Sequence, residues 1–339
     1  MTTPLAARWI NTTDYHTAGE PFRIVHEGLP ELPGTTVGER RVAAIADVGG
    51  ADSLRQLLCN EPRGHADMYG GFITPADDDG AHFGVLFWHK DGFSTACGHG
   101  TIALGVWATD TGLVESNPDG ITEVRIDVPS GRVAALVERS GGKLVGATFR
   151  NVPSHVIAHE VAVETSRGRV LASLSFSGAI YAQVQASDLG LTVDPEHYTE
   201  LIALGREIKW ALNDSAEAQH TDDPRLSGVY GTILFDDLGR TTTGPHQRNV
   251  TVFADGEVDR SPCGSGTAAR VALLAATGAL ADDELLTHDS IIGPRFIARI
   301  AERTADGVIP EVSGTAYRVG ASTFALDDGD PLATGFSLR

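Results

Sequence analysis

Two cysteines of this chain stand in one repeated frame: Cys97-Gly98-His99-Gly100-Thr101-Ile102-Ala103 reappears as Cys263-Gly264-Ser265-Gly266-Thr267-Ala268-Ala269, the pattern CGxGTxA written twice. An apolar, Pro-free stretch follows each copy and ends at Thr111-Gly112 or Thr277-Gly278, as expected of a buried helix closed by glycine. Each cysteine therefore falls at a helix start, where the dipole and the unpaired amides favour a thiolate, and a thiolate is a base. The glycines around His99 and Ser265 leave backbone amides open to an anion such as a carboxylate. If two duplicated lobes face each other, the sulfurs approach one substrate carbon from opposite sides. One thiolate then takes the α-proton and the other thiol returns a proton to the opposite face. Amides aimed at the carboxylate would stabilise the carbanion-like intermediate.

Other roles for sulfur fit less well. Cys59, in Leu57-Leu58-Cys59-Asn60, has no glycine frame and reads as a small core residue. A redox pair would show CxxC spacing and would gain nothing from two anion-binding loops. The three cysteines have no metal-ligand spacing, and Lys90, Lys143 and Lys209 sit in no motif for a Schiff-base cofactor, so neither a metal nor a cofactor is expected.

The elements that must position the two loops also repeat. Phe87 and Phe253 lie ten residues before their cysteines, in the strand-like runs Val85-Leu86-Phe87-Trp88 and Val250-Thr251-Val252-Phe253, each followed by an Asp-Gly turn. Further strands are expected at 124–128, 133–137, 144–149, 156–161, 295–300 and 317–326, and a helix over 195–210. Connections this short favour mixed lobes with largely antiparallel strands over a doubly wound sheet. A chain of 339 residues suits two lobes. The first is expected over 1–160 and carries Cys97. The second is expected over 161–317 and carries Cys263.

A formal net charge of −19 argues against a nucleic-acid partner, which needs clustered Lys and Arg. No basic leader or long apolar run marks export or a membrane span, and a low, odd cysteine count suits a reducing compartment, so a cytoplasmic location is expected. The expected partner is a small molecule, with a homodimer as the one protein assembly considered.

Asp259-Arg260-Ser261-Pro262-Cys263-Gly264-Ser265-Gly266-Thr267 resembles the second catalytic block of the proline racemase family, and Cys97-Gly98-His99-Gly100 resembles the first. That family includes 4-hydroxyproline 2-epimerases and trans-3-hydroxyproline dehydratases. Asp14-Tyr15-His16-Thr17-Ala18-Gly19-Glu20-Pro21, Glu61-Pro62-Arg63-Gly64-His65, Met68-Tyr69-Gly70-Gly71 and Ser290-Ile291-Ile292-Gly293 add to the likeness. It implies a diaminopimelate-epimerase-like fold of two pseudo-symmetric α/β lobes, each with a central helix, with the active site between them and strands near 318–339 returning to the first lobe. It also implies that Cys97 and Cys263 are the acid/base pair. Gly98, His99, Gly264 and Ser265 would lie at the substrate carboxylate, and Asp259 would accept a hydrogen bond from the ring ammonium. His246 would reach a ring hydroxyl or be a plain loop residue, and His16 would touch substrate or shape the N-terminal sheet.

The resemblance implies that dehydratases of that family typically carry Thr where this chain has Cys263, since eliminating water needs a base on one face only. Two sulfurs therefore favour a cofactor-independent racemase or epimerase of proline or hydroxyproline, an isomerase. The segment Phe93-Ser94-Thr95-Ala96-Cys97, followed by Ile102-Ala103-Leu104-Gly105, is closer to the dehydratase branch and keeps trans-3-hydroxy-L-proline dehydratase as the alternative. A non-catalytic amino-acid-binding protein comes third.

Overall fold

The computed structural model describes residues 9–327 and 329–338. Two compact units form, one from the chain up to Ala147 together with the chain from Thr315 onward, the other from Thr148–Gly314.

In the first unit, β1 (Trp9–Thr17) buries Ile10 and Thr12, then Tyr15 and Thr17. The change of parity comes from a bulge at Asp14/Tyr15, which moves the inward face by one residue. β1 turns into antiparallel β2 (Glu20–Val25). Two helices follow, α1 (Val37–Ile45) and α2 (Ala51–Cys59). Thr36 and Glu39 close a reciprocal capping box that starts α1, satisfying amides the first turn would leave unpaired. These helices carry the chain back, so β3 (Tyr69–Thr74) runs parallel to β2. Their apolar faces, with Leu54, Leu57 and Leu58, join Phe72, Leu86 and Trp88 in one core cluster. β4 (Phe83–His89) is buried at every position and pairs antiparallel with β3 and with the short β5 (Gly92–Phe93). After α3 (Gly98–Asp110), β6 (Gly120–Val128) lies parallel to β4 and makes a hairpin with β7 (Gly131–Ser140). The boundary between the units falls within β8 (Lys143–Arg150).

The second unit repeats this order. β9 (His155–Thr165) and β10 (Gly168–Phe176) form a hairpin, and β11 (Ile180–Gln185) is antiparallel to β10. Helix α4 (Tyr198–Leu212) makes the crossover to β12 (Val229–Arg240), parallel to β11. β13 (Pro245–Phe253) then runs antiparallel to β12, and the short β14 (Glu257–Asp259) antiparallel to β13. After α5 (Gly264–Ala276), β15 (Leu286–Ser290) is parallel to β13, followed by antiparallel β16 (Arg295–Arg303) and β17 (Val308–Gly314). β18 (Ala316–Ala325) pairs with β1 from Thr17↔Ala316 to Trp9↔Ala325.

Both units therefore place a parallel pair joined through helices ahead of an antiparallel strand that leads to a cysteine. The register agrees in detail, since Gly71 faces Phe87 and Gly231 faces Phe253. Helices α3 and α5 have the same length of 13 residues, and their first 12 are all buried. With no polar stripe, such a helix must be covered on every side. α3 packs on β1, β2, β6 and β7, and α5 on β9, β10, β11, β16 and β17. Both stop alike: Gly112 and Gly278 each take φ 72°, a left-handed conformation cheap only for glycine. The expected mixed α/β fold is present, with the parallel pairs confined to the helical crossovers. Among the described residues, no helix is long and apolar enough to cross a membrane.

Candidate active site

In the first unit the β4–β5 hairpin delivers Cys97 to the start of α3. Its sulfur takes the place of a capping oxygen and accepts the Gly100 N–H at 3.2 Å. Thr101 Oγ1 donates to the Cys97 carbonyl at 2.7 Å, which fixes the turn. His99 brings both ring nitrogens near the sulfur, Nδ1 at 3.5 Å and Nε2 at 3.6 Å. The imidazole is held edge-on between Tyr69 (5.0 Å between centroids) and Phe22 (5.8 Å), and its backbone carbonyl accepts Thr17 Oγ1. Glycine is required at position 100, because a Cβ there would lie 2.4 Å from Phe22 Cε2 and 2.8 Å from Cys97 Sγ. The same loop thus holds a buried sulfur, a helix N-terminus opened by Gly98, and an imidazole able to exchange a proton with that sulfur.

In the second unit Cys263 caps α5 in the same way, accepting the Gly266 N–H at 3.3 Å. Gly264 opens this helix, and Ser265 is pinned from both ends. Its hydroxyl meets Tyr181 Oη at 2.7 Å, and its carbonyl accepts Ser177 Oγ. Tyr181 Oη is also 3.9 Å from Cys263 Sγ. Asp259, 3% exposed at the end of β14, accepts both the N–H and the hydroxyl of Ser261 on one oxygen. Ser261 Oγ in turn accepts the Cys263 N–H at 3.0 Å. Burial pushes the Cys263 thiol up, and the Asp259 carboxylate adds to it. The Gly266 amide and the Thr251 hydroxyl act the other way and do not compensate. Burial likewise raises Tyr181 well above the ordinary phenol range, with Cys263 a further cause, so this hydroxyl keeps its proton.

His246 stands on β13, opposite Thr287 of β15. Its Nε2 meets Asp289 Oδ2 at 2.7 Å, and Arg295 holds the same carboxylate. His16, near the end of β1, accepts the Gly19 N–H on Nδ1 and leans on Tyr317. Cys59 is fully buried and donates to the Met68 carbonyl. Within either unit taken alone, no three His, Cys, Asp or Glu side chains among the described residues converge at ligand distances.

The sequence reading did not single out Tyr181, Asn249, Thr251 or His288 around Cys263. Tyr181 and Asn249 sit in ordinary strand patterns, where nothing marks a contact made across the fold. Thr267 was visible only as a member of the repeat.

The proline racemase family model matches residues 12–337. Relatives named trans-3-hydroxy-L-proline dehydratase recur at 41–43% identity. One, from Colwellia psychrerythraea, is 43% identical over 97% of this chain and 93% of its own. A 3-hydroxyproline 2-epimerase from Burkholderia multivorans is 41% identical over 98% of this chain and 99% of its own. Among solved structures, a hydroxyproline epimerase from Agrobacterium vitis with bound trans-4-hydroxy-L-proline superposes with a TM-score of 0.89, at 30% identity over 98% of this chain and 96% of its own.

These comparisons correct the expectation of a two-cysteine racemase or epimerase. That expectation rested on sulfur at position 263, whereas relatives named trans-3-hydroxy-L-proline dehydratase recur at 41–43% identity over nearly the whole chain, with one relative named an epimerase among them at 41%. Elimination of water after α-proton removal can proceed with sulfur at position 263, so Cys263 alone does not select inversion. The α/β fold agrees closely with that of solved hydroxyproline epimerases. On the family match and the shared fold, this chain is an enzyme of the proline racemase family.

Proposed function

We propose that the enzyme is a lyase, a trans-3-hydroxy-L-proline dehydratase. The observation that carries this reading is the recurrence of that activity among relatives at 41–43% identity over nearly the whole chain.

The stereochemistry of the substrate supports a reaction run from one face. In trans-3-hydroxy-L-proline the carboxylate and the hydroxyl lie on opposite faces of the ring, so the α-hydrogen and the hydroxyl share a face. One acid/base group can then take the α-proton and return a proton to the leaving oxygen. The pair of electrons from the Cα–H bond becomes the C2–C3 double bond, the C3–O bond breaks, and water leaves. The enamine so formed tautomerises to a cyclic imine. Cys97 is the group proposed for this role. Its sulfur accepts the Gly100 amide at the start of α3, and His99 at 3.5 Å offers a second station for the proton.

In the same proposal Gly98, Gly264 and Ser265 offer amides at helix starts to the substrate carboxylate, where negative charge grows as the proton leaves. Asp259 is assigned the ring ammonium. Cys263 enters with its proton on, as a neutral thiol that can donate a hydrogen bond but is not a base. His246, held by Asp289 and Arg295, is left out of this set.

The test is incubation of the purified protein in deuterated water with trans-3-hydroxy-L-proline, trans-4-hydroxy-L-proline or L-proline, followed by NMR. Loss of the C3 carbinol signal and appearance of a cyclic imine are expected with the first compound alone. A deuterated diastereomer that keeps its hydroxyl would refute the assignment.

A further inference from the structure

The two cysteine loops share a sequence frame but not a backbone. Cys97 has φ −157° and ψ 105°, and Cys263 has φ 62° and ψ 111°. With ψ almost equal, each residue leads into its helix in the same direction. The difference of 219° in φ, or 141° by the shorter way round, turns the peptide before Cys263 over relative to the one before Cys97. A residue with a Cβ keeps such a conformation only where its surroundings hold it.

The surroundings of Cys263 do so from both sides of that peptide. The Pro262 carbonyl accepts Asn249 Nδ2 at 2.9 Å and Thr267 Oγ1 at 3.0 Å. Because the one hydroxyl proton of Thr267 is used there, its contact with His288 Nδ1 at 2.8 Å has the imidazole as donor. On the other side the Cys263 N–H donates to Ser261 Oγ, which donates to Asp259. In the first loop the equivalent Thr101 bonds the carbonyl of Cys97 itself.

We propose that Thr267, backed by His288 and joined by Asn249, is a clasp that locks the turned Pro262–Cys263 peptide and so keeps the Asp259 carboxylate against the Cys263 thiol, holding this sulfur in its neutral, protonated form. These are positioning residues, and the inference rests on the dehydratase reading only in placing Cys263 at the reacting centre. The titratable groups that face the sulfur within its unit are Asp259 from the end of β14 and Tyr181 from β11, with Tyr230 behind Tyr181 and His288 on β15 acting through Thr267. Burial pushes His288 down to about 3, so it stays neutral and keeps its Nδ1 proton for the clasp at any working pH.

The test reads the Cys263 thiolate by its rate of alkylation by iodoacetamide across a pH titration, a rate proportional to the thiolate fraction and readable when that fraction is small, with Cys59→Ser and Cys97→Ser removing the other sulfurs. Thr267→Val is expected to let the peptide relax and Asp259 withdraw, raising the thiolate fraction at pH 9 about tenfold. Thr267→Ser keeps the hydroxyl and should titrate as the parent does. Asn249→Ala removes the second donor and should move the curve in the same direction as Thr267→Val; if the valine variant does not fold, the alanine variant decides alone. An unchanged titration in a folded Thr267→Val or Asn249→Ala protein overturns the clasp, and so does a serine variant that shifts as far as the valine one. The titration needs no turnover, so failure of the parent enzyme to dehydrate trans-3-hydroxy-L-proline would sink the functional reading and leave the clasp to be judged on its own curve.

Discussion

Replacing each cysteine by alanine and by glycine should give opposite orders of stability at the two positions. Alanine keeps a Cβ and glycine does not. At an unstrained site the change from alanine to glycine costs about 0.5–1 kcal/mol in chain entropy, plus roughly 0.8 kcal/mol for one buried methyl group. Cys97, with φ −157°, is extended backbone and should show that loss in full, about 1.5 kcal/mol. Cys263, with φ 62° and ψ 111°, carries in addition a backbone strain of about 1–3 kcal/mol that glycine relieves. Both residues are buried, at 4% and 5% exposure, so the entropic and burial terms are closely matched and cancel between the sites. The alanine-to-glycine penalty at position 263 should therefore be smaller than at 97 by about 2 kcal/mol, enough to make Cys263→Gly the more stable of its pair. Urea midpoints of the four variants at pH 7, compared within each transition because two units need not unfold together, measure the difference. Equal penalties at the two sites would show that Cys263 is unstrained and that the turned peptide has been misread.

Three further outcomes follow from the same geometry. Cys97→Ala should abolish dehydration while substrate still binds, checked by turnover together with calorimetric binding. Gly100→Ala should lower kcat/KM at least about tenfold, because the new methyl meets Phe22 and displaces the Cys97 sulfur it sits against, and a misplacement of about 1 Å can cost a hundredfold. His288 has its pKa lowered to about 3, so the unfolded chain takes up a proton below about pH 6.5 that the folded chain refuses, and the stability this residue contributes is lost as pH falls from 6.5 towards 3. The stability gap between the wild type and His288→Asn should consequently narrow by about 2–3 kcal/mol between pH 7 and pH 4.5, measured by urea denaturation. A gap independent of pH would mean that His288 takes up its proton as readily in the native state as in the unfolded chain.

Much of the fold could be read from local pattern because the features concerned are local. The ends of α3 and α5 followed from Gly112 and Gly278, which both adopt the left-handed conformation that stops a helix. Phe87 and Phe253 marked equivalent strands because each faces a glycine across the sheet in equivalent register. Helix α1 also carries a local signal, the capping box of Thr36 with Glu39. The surroundings of Cys263 could not be found in that way. Tyr181 and His288 approach α5 from separate strands, and burial hides their polar atoms in otherwise ordinary strand sequences.

The error about the reaction has the same origin. A repeated CGxGTxA frame suggests equal sulfurs, and equal sulfurs suggest a proton passed from one face to the other in either direction. Equality also requires equal backbones and equal neighbours. Here one sulfur lies beside an imidazole and the other beside a carboxylate, and a single dihedral angle separates the two loops. The carboxylate was visible in the sequence as Asp259, two residues before Ser261 in a run typical of a side-chain-bonded turn. What that turn does to the next peptide depends on Asn249, Thr267 and His288, which sequence places far apart and which meet only once β13, α5 and β15 have packed. A duplicated motif therefore supports a claim about ancestry and local shape, whereas the protonation state of each copy is set by groups outside the motif and has to be argued separately for each.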